Sequence, residues 1–365
     1  MLLVPALSMA QRPPVPAPKP PAPKPGVERV RYLDPATEFE VFRLTDPGAG
    51  AAYLPPTSNP VISRRGGFLL YVGDRGGSLQ AWTLDLKTYQ SRLITAAQAL
   101  DRKTVCLTPD ERSVCYVDGD AVMICPLAGG KGRPLLRPQE PVTGLSVIPD
   151  GPSVLVAEST RIRAVSIARG VVRTVVENGE GVLTPLPRPR RASLVYQDRQ
   201  SNCWLAHLDG SRNVKLRLSP GRIGPARWSA DGRTLLYLHF PSERGKVNSL
   251  REHNPDTGED KLIAGTSQFV AFSPNRDASV FVGSSGAKAG PYVLILLRVV
   301  GRELALCEHK ASDPSAVAPI FSPDSQNIYF ESDRHGKPAL YSMRVDKLIE
   351  KTEDEEAQTA SETRP

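Results

Sequence analysis

Between two atypical ends, the chain repeats one pattern of apolar and polar positions. A short apolar strand ends at Ser-Pro-Asp or a relative of it. A turn follows, then an apolar, β-branched run, then a second β-rich run that closes on a polar turn. The clearest copies are Trp228-Ser-Ala-Asp-Gly-Arg-Thr-Leu-Leu-Tyr-Leu, Phe272-Ser-Pro-Asn-Arg-Asp-Ala-Ser-Val-Phe-Val and Phe321-Ser-Pro-Asp-Ser-Gln-Asn-Ile-Tyr-Phe-Glu. Leu107-Thr-Pro-Asp-Glu-Arg-Ser-Val-Cys-Tyr-Val is a fourth. Weaker copies start at Ile62 and Ile148, and the weakest lies between Pro185 and Tyr196. Their spacing, roughly 38 to 49 residues, is that of a four-stranded propeller blade. Pro presets φ, Asp bonds its own backbone and Gly accepts a left-handed turn, so the motif makes a tight hairpin. The run after it suits an inner strand buried on both faces. Leu79-Gln-Ala-Trp-Thr-Leu-Asp-Leu alternates as a third strand, and Gln90-Ser-Arg-Leu-Ile-Thr reads as an edge strand.

Seven copies predict an all-β, seven-bladed β-propeller over residues 28–349. Residues 38–45, Glu-Phe-Glu-Val-Phe-Arg-Leu-Thr, match an edge strand but precede the first blade. They are expected to supply the outer strand of the last blade, closing the ring and removing its open edge. An open β-solenoid or a pair of sandwiches is the competing architecture.

The ends differ from this body. Residues 1–10 are apolar and finish on Ser-Met-Ala, like the tail of a secretory signal, although no basic stretch precedes them. Residues 12–25 are nearly half proline, with Lys at intervals. Such a segment favours polyproline II and would span roughly 40 Å. Together, residues 1–27 read as a signal remnant and spacer, which implies a periplasmic or secreted protein held near a membrane or wall. Residues 350–365 read as a disordered acidic tail. No run is long and apolar enough for an ordinary transmembrane helix.

The net charge is +7 over 365 residues. Removing the basic front and the acidic tail leaves about +8 on the body, which raises the local concentration of anionic ligands as well as aiding solubility. Aromatics make up 6% and none flank the basic clusters, so no nucleic-acid platform is expected. The five cysteines form no Cys-x-x-Cys pair, which leaves no thiolate metal spacing. Cys106 and Cys115 fall on one hairpin, where a disulfide and two free thiols are both open. No nucleophile elbow, P-loop or dinucleotide fingerprint is present.

Three stretches narrow the type of propeller. Asp46-Pro-Gly-Ala-Gly-Ala-Ala-Tyr follows Arg-Leu-Thr. Tyr71-Val-Gly-Asp-Arg-Gly-Gly runs into Ala81-Trp-Thr-Leu-Asp-Leu. Leu306-Cys-Glu-His leads to Phe321-Ser-Pro-Asp and Glu331-Ser-Asp-Arg-His-Gly-Lys-Pro-Ala-Leu-Tyr. These resemble the oligogalacturonate lyases within the TolB-type propellers, over nearly all of residues 36–346. The resemblance implies metal-assisted β-elimination on short pectin fragments. A His base takes the proton beside the uronate carboxylate, and Mn2+, held by His and Gln, meets the developing charge.

The chain departs from that constellation. Where the family carries His-Pro-His-Pro, it has Ala316-Val-Ala318-Pro. The family's glutamine falls near Asp313, its fifth-blade His near Pro225 and its sixth-blade His near Phe269. Ala offers no ligand atom. The reading is therefore a non-catalytic propeller that needs no cofactor and binds an anionic saccharide or protein. The alternative is an oligogalacturonate lyase, with Mn2+. His239 and His309 are the catalytic candidates under that alternative. Arg188, Arg190 and Arg191, clustered between prolines, are candidate carboxylate binders. Both His207 and His239 fall in strands, His335 falls in a turn, and His253 is assigned to an insertion, Pro241 to Leu250, that lengthens one hairpin.

Overall fold

A computed structural model describes residues 29–266 and 268–345. The signal-like remnant, the proline-rich spacer and the acidic tail lie outside the described residues. Among the described residues every regular element is a β-strand. They form seven antiparallel sheets, six of them with four strands in chain order from the inside outward, as a propeller requires. The inner strands begin at Ala52, Leu100, Val142, Leu186, Arg222, Phe269 and Ile320. The weakest repeat in the sequence gives the fourth blade, whose inner strand is only Leu186–Pro187.

The ring closes as the pattern predicts. Glu40–Arg43 pairs antiparallel with Ala339–Arg344, the third strand of the seventh blade. A fifth strand, Val30–Leu33, adds outside it. That strand was not foreseen: three of its four residues are exposed, so it carries no apolar alternation to read.

Seven apolar clusters fill the seams between neighbouring blades. The seam of blades six and seven packs Val282, Ile295 and Leu306 against Ile328, Phe330 and Tyr341, with Val41 of the closing strand added. The seam of blades seven and one joins Leu340 and Tyr329 to Leu69 and Tyr71. Each blade thus buries both faces against its neighbours, which is why second strands such as Val280–Ser285 read as continuous apolar runs rather than alternations.

The Ser-Pro-Asp hairpins work as their residue types predict. In the last copy Asp324 accepts from the Gln326 N–H (3.1 Å) and Ser322 Oγ accepts from the Asn327 N–H (2.9 Å). The residue after the Asp takes a left-handed φ, +60° at Ser325 and +70° at Gly232. All five cysteines are free and buried; Cys106 and Cys115 face each other across their hairpin as thiols.

Candidate functional site

Because the blades are antiparallel, the starts of the inner strands and the ends of the second strands share one face. The Ser-Pro-Asp turns lie on the other. On the first face a cavity of about 670 Å3 opens at the central channel. Its floor is the segment Leu54–Pro60, which leaves the inner strand of blade one and enters the channel. Asn59 anchors it on blade three: Nδ2 donates to the Leu145 carbonyl (2.9 Å) and Oδ1 accepts from the Val147 N–H (3.1 Å). Thr57 Oγ1 accepts from the Arg227 guanidinium of blade five. Thr57 and Arg227 also line a smaller space of about 230 Å3 beyond this plug.

Bulges aim the polar side chains inward. The register of blade two shifts between Asp101 and Cys106, and Asp101 accepts from the Lys103 N–H (2.9 Å). That irregularity places Arg102 and Lys103 on the cavity wall. The register of blade five shifts between Ile223 and Ala226 and brings Gly224, Pro225 and Arg227 to the wall. Gly224 is required there, since a Cβ would meet the Phe240 ring at 2.4 Å.

Five charged side chains line the cavity: Arg102, Lys103 and Arg227 against Asp313 and Glu331. Arg227 is the least compensated. It donates to the Ala226 carbonyl (2.8 Å) and to Thr57, its Nε has no partner, and no carboxylate among the described residues pairs with it. Burial pulls its pKa down to about 10, so it stays cationic at neutral pH. Arg102 stacks over Tyr53 (4.3 Å), which holds its head at the rim. Glu331 is buried and accepts from the Leu54 N–H (2.8 Å). Desolvation pushes its pKa up to about 7, against the Leu54 hydrogen bond and the Arg102 charge. Asp313 is the opposite case: the Ser315 hydroxyl (2.6 Å) and N–H (2.9 Å) hold its carboxyl below the usual range.

The residues singled out from sequence divide between this cavity and other places. Asp313, Ala316 and Ala318 come together on its wall with Pro225. Phe269 is buried in the seam of blades five and six, and Ala271 takes the wall position on that strand. None of the five histidines lines the cavity. His239 Nε2 donates to the Pro220 carbonyl (2.8 Å) while Nδ1 accepts from Ser249. His309 Nδ1 accepts from the Ala311 N–H (3.0 Å), so Nε2 carries the proton and donates to the Ser285 carbonyl (3.0 Å). Burial lowers the His309 pKa and keeps this tautomer neutral. His253 sits in the strand Ser249–Asn254 and is buried, not in the preceding loop. His207 and His335 bond Ser211 and Tyr341.

Arg188, Arg190 and Arg191 belong to the fourth blade's turn, on the face away from the cavity. Arg188 is buried; it forms a two-pronged pair with Asp256 (2.8 and 2.6 Å), donates to the Gly232 carbonyl and stacks on Trp228. Arg190 and Arg191 are exposed.

Arg102, Lys103, Arg227 and Glu331 are charged wall residues that sequence reasoning left out. The signal for Arg227 was available: a cation inside an inner strand, one residue before the Trp228 turn motif, where its immediate neighbours Ala226 and Trp228 are apolar. Glu331 stands at the end of the apolar run Ile328-Tyr-Phe, again one charge where a strand should be apolar.

The fold and the plugged, cation-bearing channel mouth define a seven-bladed β-propeller with a polar axial pocket. No family model matches the chain. Its sequence is similar to that of the oligogalacturonate lyase of Dickeya dadantii, 22% identical, the match covering 86% of this chain and 95% of that protein. It is 21% identical to the oligogalacturonide lyase of Pectobacterium atrosepticum over 215 residues; there the match spans only 55% of the relative's length. In fold it resembles an oligogalacturonate lyase solved in complex with manganese (TM-score 0.79, 21% identity, covering 87% of this chain and 96% of that one). The Vibrio parahaemolyticus oligogalacturonate lyase gives a TM-score of 0.80 at 20% identity, covering 88% of this chain and 97% of that one. Hydrazine synthase of Kuenenia stuttgartiensis shares the fold more distantly (TM-score 0.60), so the architecture alone assigns no chemistry.

The manganese of that neighbour prompts a test of fit. Among the described residues no group of three or more His, Cys, Asp or Glu side chains could hold a metal ion. Two positions where the family's imidazoles are expected are Ala316 and Ala318, and the Asp313 carboxylate is already bonded to Ser315. The residues present do not fit a Mn2+ site.

Glu331 gives the cavity a pH response. Its folded pKa lies above the ordinary value, so the native state holds a proton that the unfolded chain releases. Stability is then expected to fall as pH rises from about 4.5 to 7, by about 3 kcal/mol. Glu331→Gln should flatten that slope in denaturant titrations taken at several pH values. An unchanged slope would remove Glu331 as its source.

Proposed function

We propose that this propeller binds short acidic oligosaccharides, of which oligogalacturonate is the type, in the channel-mouth cavity, and does not cleave them. The observation that carries this reading is Arg227: a half-buried guanidinium facing the cavity, with no carboxylate partner among the described residues. A desolvated guanidinium favours a planar, two-oxygen anion, and a uronate carboxylate supplies one. Arg102 and Lys103 add positive charge on the wall, where a second uronate of the same chain would lie. A volume of about 670 Å3 is in the range of small-ligand sites. The similarity to oligogalacturonate lyases supports the substrate class. The alanines at 316 and 318 count against the elimination step, which needs a cation to meet the enolate-like charge.

Calorimetric titration with trigalacturonate, with and without a chelator, tests the reading. The expected result is binding that weakens with salt, ignores the chelator and is absent for a neutral trisaccharide of the same length. Equal affinity for the neutral sugar, or no heat for the acidic one, would refute it.

A further inference from the structure

A groove of about 980 Å3 lies on the opposite face, at the seam where the ring closes. Its walls come from the turns of blades one, six and seven and from the closing strand. Five arginines line it: Arg29, Arg64, Arg65, Arg276 and Arg344. Among the described residues only two carboxylates do, Glu40 and Asp324, and both are committed. Glu40 pairs with Arg31, and Asp324 caps its own turn. Arg64, Arg65 and Arg276 are exposed, and none has an ion-pair partner among the described residues. The nearby Glu111 carboxylate accepts from the Arg64 backbone N–H. Arg29 lies over the Phe42 ring at 3.7 Å and Tyr89 at 4.4 Å, which gives the groove an apolar floor.

We propose that this groove is the docking site of the chain's own acidic segment, residues 346–365. Three observations point to that occupant. The third strand of blade seven delivers the chain to the groove: Arg344 is its last residue and is itself part of the wall. The segment that follows carries Asp346, Glu350, Glu353, Asp354, Glu355, Glu356 and Glu362 against Lys347, Lys351 and Arg364. The run of four consecutive acids begins eight residues after Val345, within about 27 Å of extended chain. The other segment at hand, residues 1–28, is basic and would meet like charge. Leu348 and Ile349, just ahead of the acidic run, suit the aromatic floor. Docked there, the segment would lie across the junction of the first and last blades and latch the closure of the ring.

The test uses the full chain with a fluorophore on Ala357→Cys. The five native thiols are buried, so labelling is selective. In low salt the anisotropy should be high. It should fall to that of a free labelled peptide of the same sequence in 1 M salt, where the Debye length is about 3 Å. It should fall equally in Arg64→Glu/Arg65→Glu/Arg276→Glu. The tail variant Glu353→Gln/Asp354→Asn/Glu355→Gln/Glu356→Gln, which leaves the propeller untouched, should show the same loss without any effect on folding. High anisotropy that survives in either variant would overturn the proposal. So would anisotropy that rises with protein concentration, since the segment would then occupy a neighbouring copy.

Discussion

Arg227→Leu is expected to weaken trigalacturonate binding by about 10- to 100-fold while leaving the fold as stable as before, or more so. The two effects have one cause. Arg227 contributes a desolvated cation with an unpaired Nε to the native state, and nothing among the described residues neutralises it. Replacing a buried charge by an apolar side chain of similar reach removes a desolvation cost and is often neutral or stabilising. A charge-assisted hydrogen bond to a ligand carboxylate is worth about 1.5–3 kcal/mol, which is the loss expected in affinity. Arg227→Lys should recover only part of it, because an ammonium offers a point charge in place of a planar fork. Calorimetry and denaturant unfolding on the same preparations check both halves. A loss of stability with no loss of affinity would make Arg227 a structural residue bonded to Thr57 and nothing more.

The second large effect concerns closure. Val41→Asp is expected to destabilise the propeller by more than about 4 kcal/mol, read as a shift of the denaturant midpoint. Val41 is fully buried between the closing strand and the seam of blades six and seven. A carboxylate there would be desolvated and without a partner, one of the few mechanisms that gives losses of that size. Leu33→Asp, in the outermost strand and 59% exposed, should change stability by no more than about 0.5 kcal/mol. Equal, small effects at both positions would mean that the ring does not depend on its closing strand.

The architecture was legible because each blade repeats one local code. Asp110, Asp231 and Asp324 cap equivalent turns, and the apolar runs after them fill equivalent seams. The closing strand was legible too, since apolar residues such as Val41 and Leu44, buried in the two seams that flank the last blade, recur in a stretch that fits no blade of its own. The cavity was less so. Its wall is made by single residues from the mouth ends of several blades, aimed by register shifts that leave no mark on the repeat. The expectation of alanines in place of imidazoles, at Ala316 and Ala318, could be formed by alignment, because both stand just ahead of a turn motif. That Arg188 points into a neighbouring blade's turn could not, because its partner Asp256 lies 68 residues away. His239 and His309 illustrate the same limit: each is buried and bonded to a backbone carbonyl, and strand position alone does not distinguish that from a channel-facing side chain.

The measurement that bears most directly on a binding propeller without elimination chemistry is a turnover assay on trigalacturonate with added Mn2+. It follows the ultraviolet absorbance of the unsaturated uronate product, with an active oligogalacturonate lyase as control. The account predicts no product from folded protein that demonstrably binds the sugar. Turnover that a chelator abolishes would contradict it, and would mean that a metal is held by groups other than those lining this cavity.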